Sequence, residues 1–169
     1  MAEPKGAGVP VVIGIDPGKT GAIVALDGSG TVHAAATADR WTIKGKGQSY
    51  VPRTMAEWLT AVPCDLVVIE RQQAMPRQGL SSTLTTGYGY GLWVGIAAAL
   101  GLPYLEVRPS AWTRAILPAS GGKGKGRAIG VARARVPELD LTPGRKRKPH
   151  DGLADAACLA LYGLRELGR

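Results

Sequence analysis

The chain has 169 residues, 45% of them hydrophobic and 20% charged, with a formal net charge of +8. That length carries one domain with a proper core, and the composition excludes a disordered tail or a collagen-like fibre. The charge points toward a polyanionic partner, but structural basic proteins share it, so the balance alone names no function.

Residues 1–10 read as a flexible N-terminus and 11–169 as one domain. Val11-Val12-Ile13-Gly14-Ile15, bounded by Asp16-Pro17-Gly18, has the unbroken apolar run of a buried central strand. Gly21 to Leu26 predicts a second strand, and Asp27-Gly28-Ser29-Gly30 a hairpin turn into a third from Thr31 to Thr37. A polar stretch with Gly45, Lys46 and Gly47 follows. Met55, Trp58, Leu59 and Val62 then recur at helical spacing, with Pro52 near the helix start. Asp65 to Glu70 predicts a buried fourth strand ending in an acid.

No charged residue occurs from Gly79 through Leu105. Serines, threonines and glycines dilute that stretch and Pro103 cuts its apolar end, so it predicts a buried helix over roughly Ser82 to Leu100, not a membrane span. Gly87, Gly91 and Gly95 line one face of it, open to close approach by the sheet or by a second subunit. Pro103 to Arg108 predicts a fifth strand, Pro109 to Leu117 a short helix, Arg127 to Val136 another, and Asp151 to Leu167 the last. This order describes a mixed five-stranded α/β sheet flanked by helices.

Cys64 and Cys158 lie far apart, with neither metal-ligand nor redox-motif spacing, and no signal peptide precedes them. They read as buried, reduced thiols of a cytosolic protein.

The charge is unevenly placed. Between Arg108 and Lys148 eleven Lys/Arg stand against Glu138 and Asp140, a net +9 that leaves −1 for the rest of the chain. Lys123, Lys125 and Arg127 alternate with glycine, as suits a flexible loop following a phosphate backbone, and Arg145-Lys146-Arg147-Lys148 is an unbroken basic run. A solvated loop or a weak localisation signal is the plainer reading of either cluster.

Three acids differ from ordinary surface charge. Asp16 and Glu70 end core strands, where α/β proteins place ligands, and Asp155 lies in a nearly apolar helix. Asp151 precedes Asp155 by four residues and shares its helix face. If that helix packs beside the first strand, four carboxylates converge. Such a cluster repels itself unless a cation neutralises it, and all-oxygen donors suit Mg²⁺ or Mn²⁺. Two such ions about 4 Å apart can stabilise both the attacking and the leaving oxygen of a phosphodiester. A salt bridge to an arginine is the alternative for any one acid. His150 is placed to ligate a metal, to relay a proton, or merely to sit exposed at a helix start; His33 is expected to pack within the third strand.

Taken together, Gly14-Ile15-Asp16-Pro17-Gly18, Val67-Val68-Ile69-Glu70-Arg71-Gln72, the glycine-rich helix from Gly87, Pro109-Ser110-Ala111-Trp112 and His150-Asp151-Gly152-Leu153-Ala154-Asp155-Ala156-Ala157 resemble the RuvC family of Holliday junction resolvases, in its phage-type branch. The resemblance spans Val11 to Leu164. It implies an RNase H-like fold, a homodimer, two Mg²⁺ per active site, and paired nicking of four-way DNA junctions in a bacterial or phage-infected cell. Asp16, Glu70 and Asp155 match catalytic, metal-binding acids of the family. The family's usual spacing of three puts its remaining acid on Gly152, so Asp151 takes that role here, with His150 as an alternative ligand. Cellular members carry a base-stacking aromatic just after the glutamate; this chain has Gln72-Gln73-Ala74-Met75. Lys123 and Lys125 fall where the family places backbone-holding lysines, and Arg71, Gln73, Arg77, Arg127, Arg145, Lys146, Arg147 and Lys148 complete the expected DNA contacts.

Three rivals remain. Gly-Ile-Asp followed by Gly18-Lys19-Thr20-Gly21 also resembles the phosphate loop of actin-like ATPases and sugar kinases, but those need two such domains and this chain supplies one. A non-catalytic nucleic-acid-binding module would have lost acids that are intact here. A nuclease of the same fold acting on forks, flaps or hybrids overlaps the main reading.

Overall fold

Strand β1 (Val11–Asp16) is apolar without alternation because both of its faces are covered. Val12 packs in one core layer, while Ile13 and Ile15 pack in the other. The computed structural model describes residues 8–44, 48–74, 76–119, 126–144 and 146–169, with the backbone alone at Lys44 and Gln48. Lys123, Lys125, Arg145, Met75, Gly45 to Gly47 and most of the expected flexible N-terminus lie outside the described residues.

β1 pairs antiparallel with β2 (Ala22–Asp27), which pairs antiparallel with β3 (Val32–Thr37). On its other side β1 pairs parallel with β6 (Leu66–Glu70), and β6 with β7 (Tyr104–Val107). The five-stranded sheet therefore runs β3-β2-β1-β6-β7, the mixed sheet expected. Two three-residue strands, β4 (Thr42–Lys44) and β5 (Gln48–Tyr50), form a separate hairpin inside the polar stretch that gave no strand signal.

Helices α1 (Pro52–Thr60) and α2 (Leu80–Ala99) cover one face, around Trp41, Met55, Leu59, Trp93 and Ala97. Helices α3 (Pro109–Ile116), α4 (Gly126–Arg135) and α5 (Asp151–Leu167) cover the other. α5 lies directly on β1. A β-carbon at Gly14 would fall 2.0 Å from the Ala156 carbonyl oxygen, so any side chain there would push the helix off the sheet. Beside Gly163 stand Val12 and Val68, and beside Gly152 stands Asp16. α5 thus runs antiparallel to β1, with its first turn at the strand's carboxyl end.

α2, expected as a buried helix, buries only one face, and of the two alternatives for its glycine stripe the structure excludes packing on the sheet. It packs through Gly89, Trp93 and Ala97, and a β-carbon at Gly89 would meet the Tyr50 ring at 2.3 Å. Nothing lies within 4 Å of a β-carbon built at Gly87, Gly91 or Gly95, so that stripe does not pack on the sheet. Among the described residues no helix is long and apolar enough to cross a membrane. Cys64 and Cys158 are both buried, as expected, and burial pushes the Cys158 thiol up to about 12, with the Asp155 charge adding to it. His33 departs from its expected packing: the residue is exposed on β3, and its Nε2 pairs with Asp27 Oδ2 at 2.9 Å. Its alternation with the partly buried Val32 and Ala34 turns it outward.

Candidate active site

Side chains alternate along a strand, so Asp16 shares the α5 face of β1 with Val12 and Gly14, and Glu70 shares that of β6 with Val68. The register joins Ile15 to Ile69, and the two acids follow one residue later on neighbouring parallel strands. Asp16 closes a tight turn, its Oδ1 accepting the Gly18 N–H at 3.0 Å. Glu70 accepts two hydrogen bonds: Trp112 Nε1 donates to Oε1 at 2.8 Å and Gln72 Nε2 to Oε2 at 3.2 Å. Burial, and then the charge of Asp16, hold the Glu70 carboxyl above the ordinary carboxylate range, against the pull of those two donors.

The first turn of α5 reaches the same rim. Gly152 sits over Asp16: a β-carbon there would lie 3.2 Å from Asp16 Oδ2, 3.1 Å from His150 Cε1 and 2.6 Å from the Thr20 carbonyl oxygen. The position that the family spacing assigns to an acid therefore has no room for a side chain. Asp151 and Asp155 are partly buried and, four residues apart, lie on one flank of the helix beside its Gly152–Ala156 contact line. The structure thus brings Asp16 and Glu70 together beneath the first turn of α5, the helix that carries Asp151 and Asp155. Asp16 and Glu70 are close enough to perturb one another, while Asp155 makes its electrostatic mark on Cys158.

His150 caps α5. Its Nδ1 accepts the Leu153 N–H at 3.2 Å, which puts the neutral ring's proton on Nε2. Neither nitrogen then offers a lone pair to a cation in this conformation. Burial, then Lys146, lower its pKa, partly offset by Asp151 and Asp39.

The described residues among the expected DNA contacts fall on several different elements. Arg71 is exposed just past Glu70, its backbone N–H bonded to the Val107 carbonyl at 2.7 Å. Gln73 lines a cavity of about 80 Å³ together with Gln72, Gln78, Thr86 and Tyr90. The Tyr90 hydroxyl donates to Glu106, and burial with that contact pushes it up to about 12. Arg77 is exposed in the left-handed region at φ 65°. Arg127 donates from Nη2 to the Pro118 carbonyl at 2.6 Å, so part of its guanidinium ties α4 to the end of the preceding segment. Lys146, Arg147 and Lys148 are exposed, with Lys146 near enough to Asp39 to help lower that carboxyl after the Thr37 hydroxyl contact. Sequence reasoning missed Trp112, Gln72 and Thr20 as parts of the site. The only advance signal for Trp112 was its place in one of the sequence blocks that carry the family resemblance.

Asp16 and Glu70 fit a hard divalent cation: both present oxygens alone, and Glu70 carries the strain of a like charge beside it that a cation would relieve. Among the described residues no group of three or more His, Cys, Asp or Glu stands assembled as a metal site. An ion bound by Asp16 and Glu70 would draw its other ligands from water, from a phosphate, or from adjustment of the α5 acids.

No protein-family model matches the chain. It is 29% identical over 155 residues to the crossover junction endodeoxyribonuclease RuvC of Nitratidesulfovibrio vulgaris, covering 87% of this chain and 88% of that protein. The solved structure of Thermus thermophilus RuvC in complex with a Holliday junction substrate superposes with a TM-score of 0.65 at 20% identity, over 94% of this chain and 96% of that one. The fowlpox virus Holliday junction resolvase gives 0.56 at 20% identity, over 93% and 99%. Sheet order, helix layers and strand-end acids together define an RNase H-like domain. Within that class the chain is RuvC-like, similar over most of its length to a curated RuvC and in fold to solved Holliday junction resolvases.

Proposed function

We propose that this chain is a crossover junction endodeoxyribonuclease, resolving four-way DNA junctions by paired, divalent-metal-dependent nicks. The observation that carries the reading is the pairing of Asp16 and Glu70 on adjacent strand ends beneath the first turn of α5, in a chain that matches RuvC over most of its length. RuvC-family nucleases depend on metal. Asp16, Glu70, Asp155 and Asp151 are the residues that would hold two Mg²⁺, or Mn²⁺ in their place. Bound there, the ions would supply activation of water and neutralise charge on the leaving 3′ oxygen, giving 5′-phosphate and 3′-hydroxyl ends.

The chain's own residues supply the rest. Trp112 and Gln72 donate to the Glu70 carboxylate, and the Asp16 turn fixes the first acid against the sheet. Exposed Arg71, Arg77, Lys146, Arg147 and Lys148 bind phosphates without reading bases, so they position DNA and leave selectivity to its shape. Gln73, beside a small cavity, stands in the segment where the family carries its stacking aromatic.

Two symmetric nicks need two sites at fixed separation, and we assign the second to another copy of this chain. Leu80, Leu84 and Tyr88 are 90%, 75% and 55% exposed on α2, next to the open Gly87–Gly91–Gly95 stripe. An uncharged helix face of this kind suits close helix-to-helix approach. The partner is branched DNA, and the setting is the cytoplasm of a bacterial or phage-infected cell.

The test is cleavage of a labelled four-way junction beside a linear duplex of matching sequence, a flap and an RNA–DNA hybrid, with Mg²⁺ and with EDTA. Symmetric, metal-dependent nicks confined to the junction are expected. Equal cutting of flap or hybrid moves the reading to a broader branched-DNA nuclease. Binding with no nicking under any divalent ion moves it to a non-catalytic module.

A further inference from the structure

The Pro109-Ser110-Ala111-Trp112 block carries no acid, histidine or basic side chain, yet it delivers the shorter of the two side-chain hydrogen bonds to Glu70. The same pairing that places Glu70 also places α3. Glu70 is in register with Val107, the last residue of β7, and Arg71 N–H bonds to the Val107 carbonyl at 2.7 Å. Arg108 stays extended, Pro109 opens α3, and Trp112 arrives one turn later. The residue is 3% exposed, within the core layer that includes α5. Its indole N–H meets Glu70 Oε1 at 2.8 Å, 42 residues away in sequence.

This hydrogen bond is not a routine consequence of burying a tryptophan. Trp93 is fully buried as well, and its Nε1 has no hydrogen-bond partner among the described residues. The two donors on Glu70 also differ. Trp112 is locked by packing, whereas Gln72 lies two residues past the strand end, partly exposed, and reaches Oε2 at a longer 3.2 Å. An indole N–H orients a carboxylate without bringing a positive charge, so it does not compete with a cation for the same group. An arginine or lysine in that place would neutralise the site that the cation needs.

We propose that Trp112 is the positioning residue for Glu70: it holds Oε1 throughout, while the Gln72 amide yields Oε2 to the incoming divalent ion. The inference rests on the metal-dependent reading of Asp16 and Glu70.

Trp112→Phe keeps the packing ring and removes the donor. Mn²⁺ binding, followed by calorimetry on the metal-free protein, should weaken about tenfold, as for loss of a hydrogen bond to a charged group. In a Glu70→Gln background the same change should cost nothing further. Junction cleavage by Trp112→Phe should lose kcat with KM kept, and excess Mg²⁺ should restore most of it. In the unaltered chain the Trp112 indole N–H resonance should stay hydrogen-bonded through an Mg²⁺ titration while the Gln72 side-chain amide signals move. That measurement decides the matter should the variant fold poorly. A Trp112 resonance that loses its hydrogen bond on adding Mg²⁺, or Mn²⁺ affinity unchanged by Trp112→Phe in a chain that binds Mn²⁺ and nicks junctions, overturns this inference alone. Absence of both Mn²⁺ binding and nicking in the unaltered chain overturns it together with the functional reading.

Discussion

Gly152 stands so close over Asp16 that a β-carbon on it would lie 3.2 Å from Asp16 Oδ2 and 2.6 Å from the Thr20 carbonyl oxygen. Restoring an acid at the family's usual spacing should therefore damage the site. Gly152→Asp must shift α5 or the Asp16 turn, an overpacking cost of about 1–3 kcal/mol. A melting temperature lower by roughly 3–10 °C and cleavage reduced alongside it are expected. A stable variant that cleaves as well as the parent would show that the helix yields easily at this point.

Asp16→Asn removes one charge from the paired strand ends without changing their shape. Junction cleavage should fall by at least about a thousandfold while junction binding holds or tightens, since less negative charge then faces the phosphates. Gel-shift and nicking measured on the same preparation separate the two effects. Asp151→Asn should cost cleavage on a comparable scale. His150→Ala should act chiefly through the helix cap, at about 1 kcal/mol of stability, because its Nδ1 already serves the Leu153 N–H. A collapse of cleavage in His150→Ala at unchanged stability would move the ligand role to the histidine.

The strands were legible because β1, β2 and β6 are buried on both faces and so read as unbroken apolar runs with turn residues at their ends. α5 was legible to its limits, Asp151 to Leu167, from its apolar spacing. The β4–β5 hairpin was not, since three-residue strands in a polar, glycine-bearing stretch carry no period. The acids stood out because a carboxylate at the end of a core strand is rare and local in sequence. Trp112 did not, because an indole donating to a carboxylate 42 residues away leaves no trace in spacing. The glycines of α2 could be placed on one face but not on a side of the molecule; the buried side proved to be that of Gly89, Trp93 and Ala97.

Glu70 predicts a stability change with a definite sign. Its folded-state pKa lies above the ordinary value of 4.5, through burial first and Asp16 second. Ionising it therefore destabilises the metal-free fold, by nothing at low pH and increasingly as pH rises through the folded pKa. Gln can still accept from Trp112, so Glu70→Gln should melt higher than the parent in EDTA at pH 8. The two melting curves should converge as pH falls toward the ordinary carboxylate value. Added Mg²⁺ should raise the parent's melting temperature and leave the variant's nearly unmoved.

Arg147 and Lys148 are exposed and follow the uninterrupted basic run directly into the start of α5. As phosphate-binding cations they should contribute to affinity for any DNA, not to cleavage chemistry. Junction affinity should fall steeply with salt, and Arg147→Ala with Lys148→Ala should flatten the slope of log affinity against log salt by about 1 for each phosphate no longer neutralised. Single-turnover cleavage at saturating protein should stay near the parent's rate. An unchanged slope would return these residues to ordinary solvated charge.

Leu84 is 75% exposed on the uncharged α2, one turn before Tyr88 at 55%. The Tyr88 ring leans edge-on against Tyr50 at 5.9 Å, while α2 meets the core chiefly through Gly89, Trp93 and Ala97. A solitary apolar residue on a surface requires no explanation, but a helix that buries one face and leaves Leu80, Leu84 and Tyr88 beside three open glycines presents a continuous apolar strip. Leu84→Glu places a charge in that strip at a residue already 75% exposed, so the fold should hold within about 0.5 kcal/mol. Sedimentation should then find a dimer for the parent and a monomer for the variant. The variant should still bind junction DNA weakly but lose the paired character of its nicks, cutting the two strands independently in a time course on a supercoiled cruciform. A parent that sediments as a monomer with and without junction DNA would remove the preformed dimer, and with it the assignment of this face.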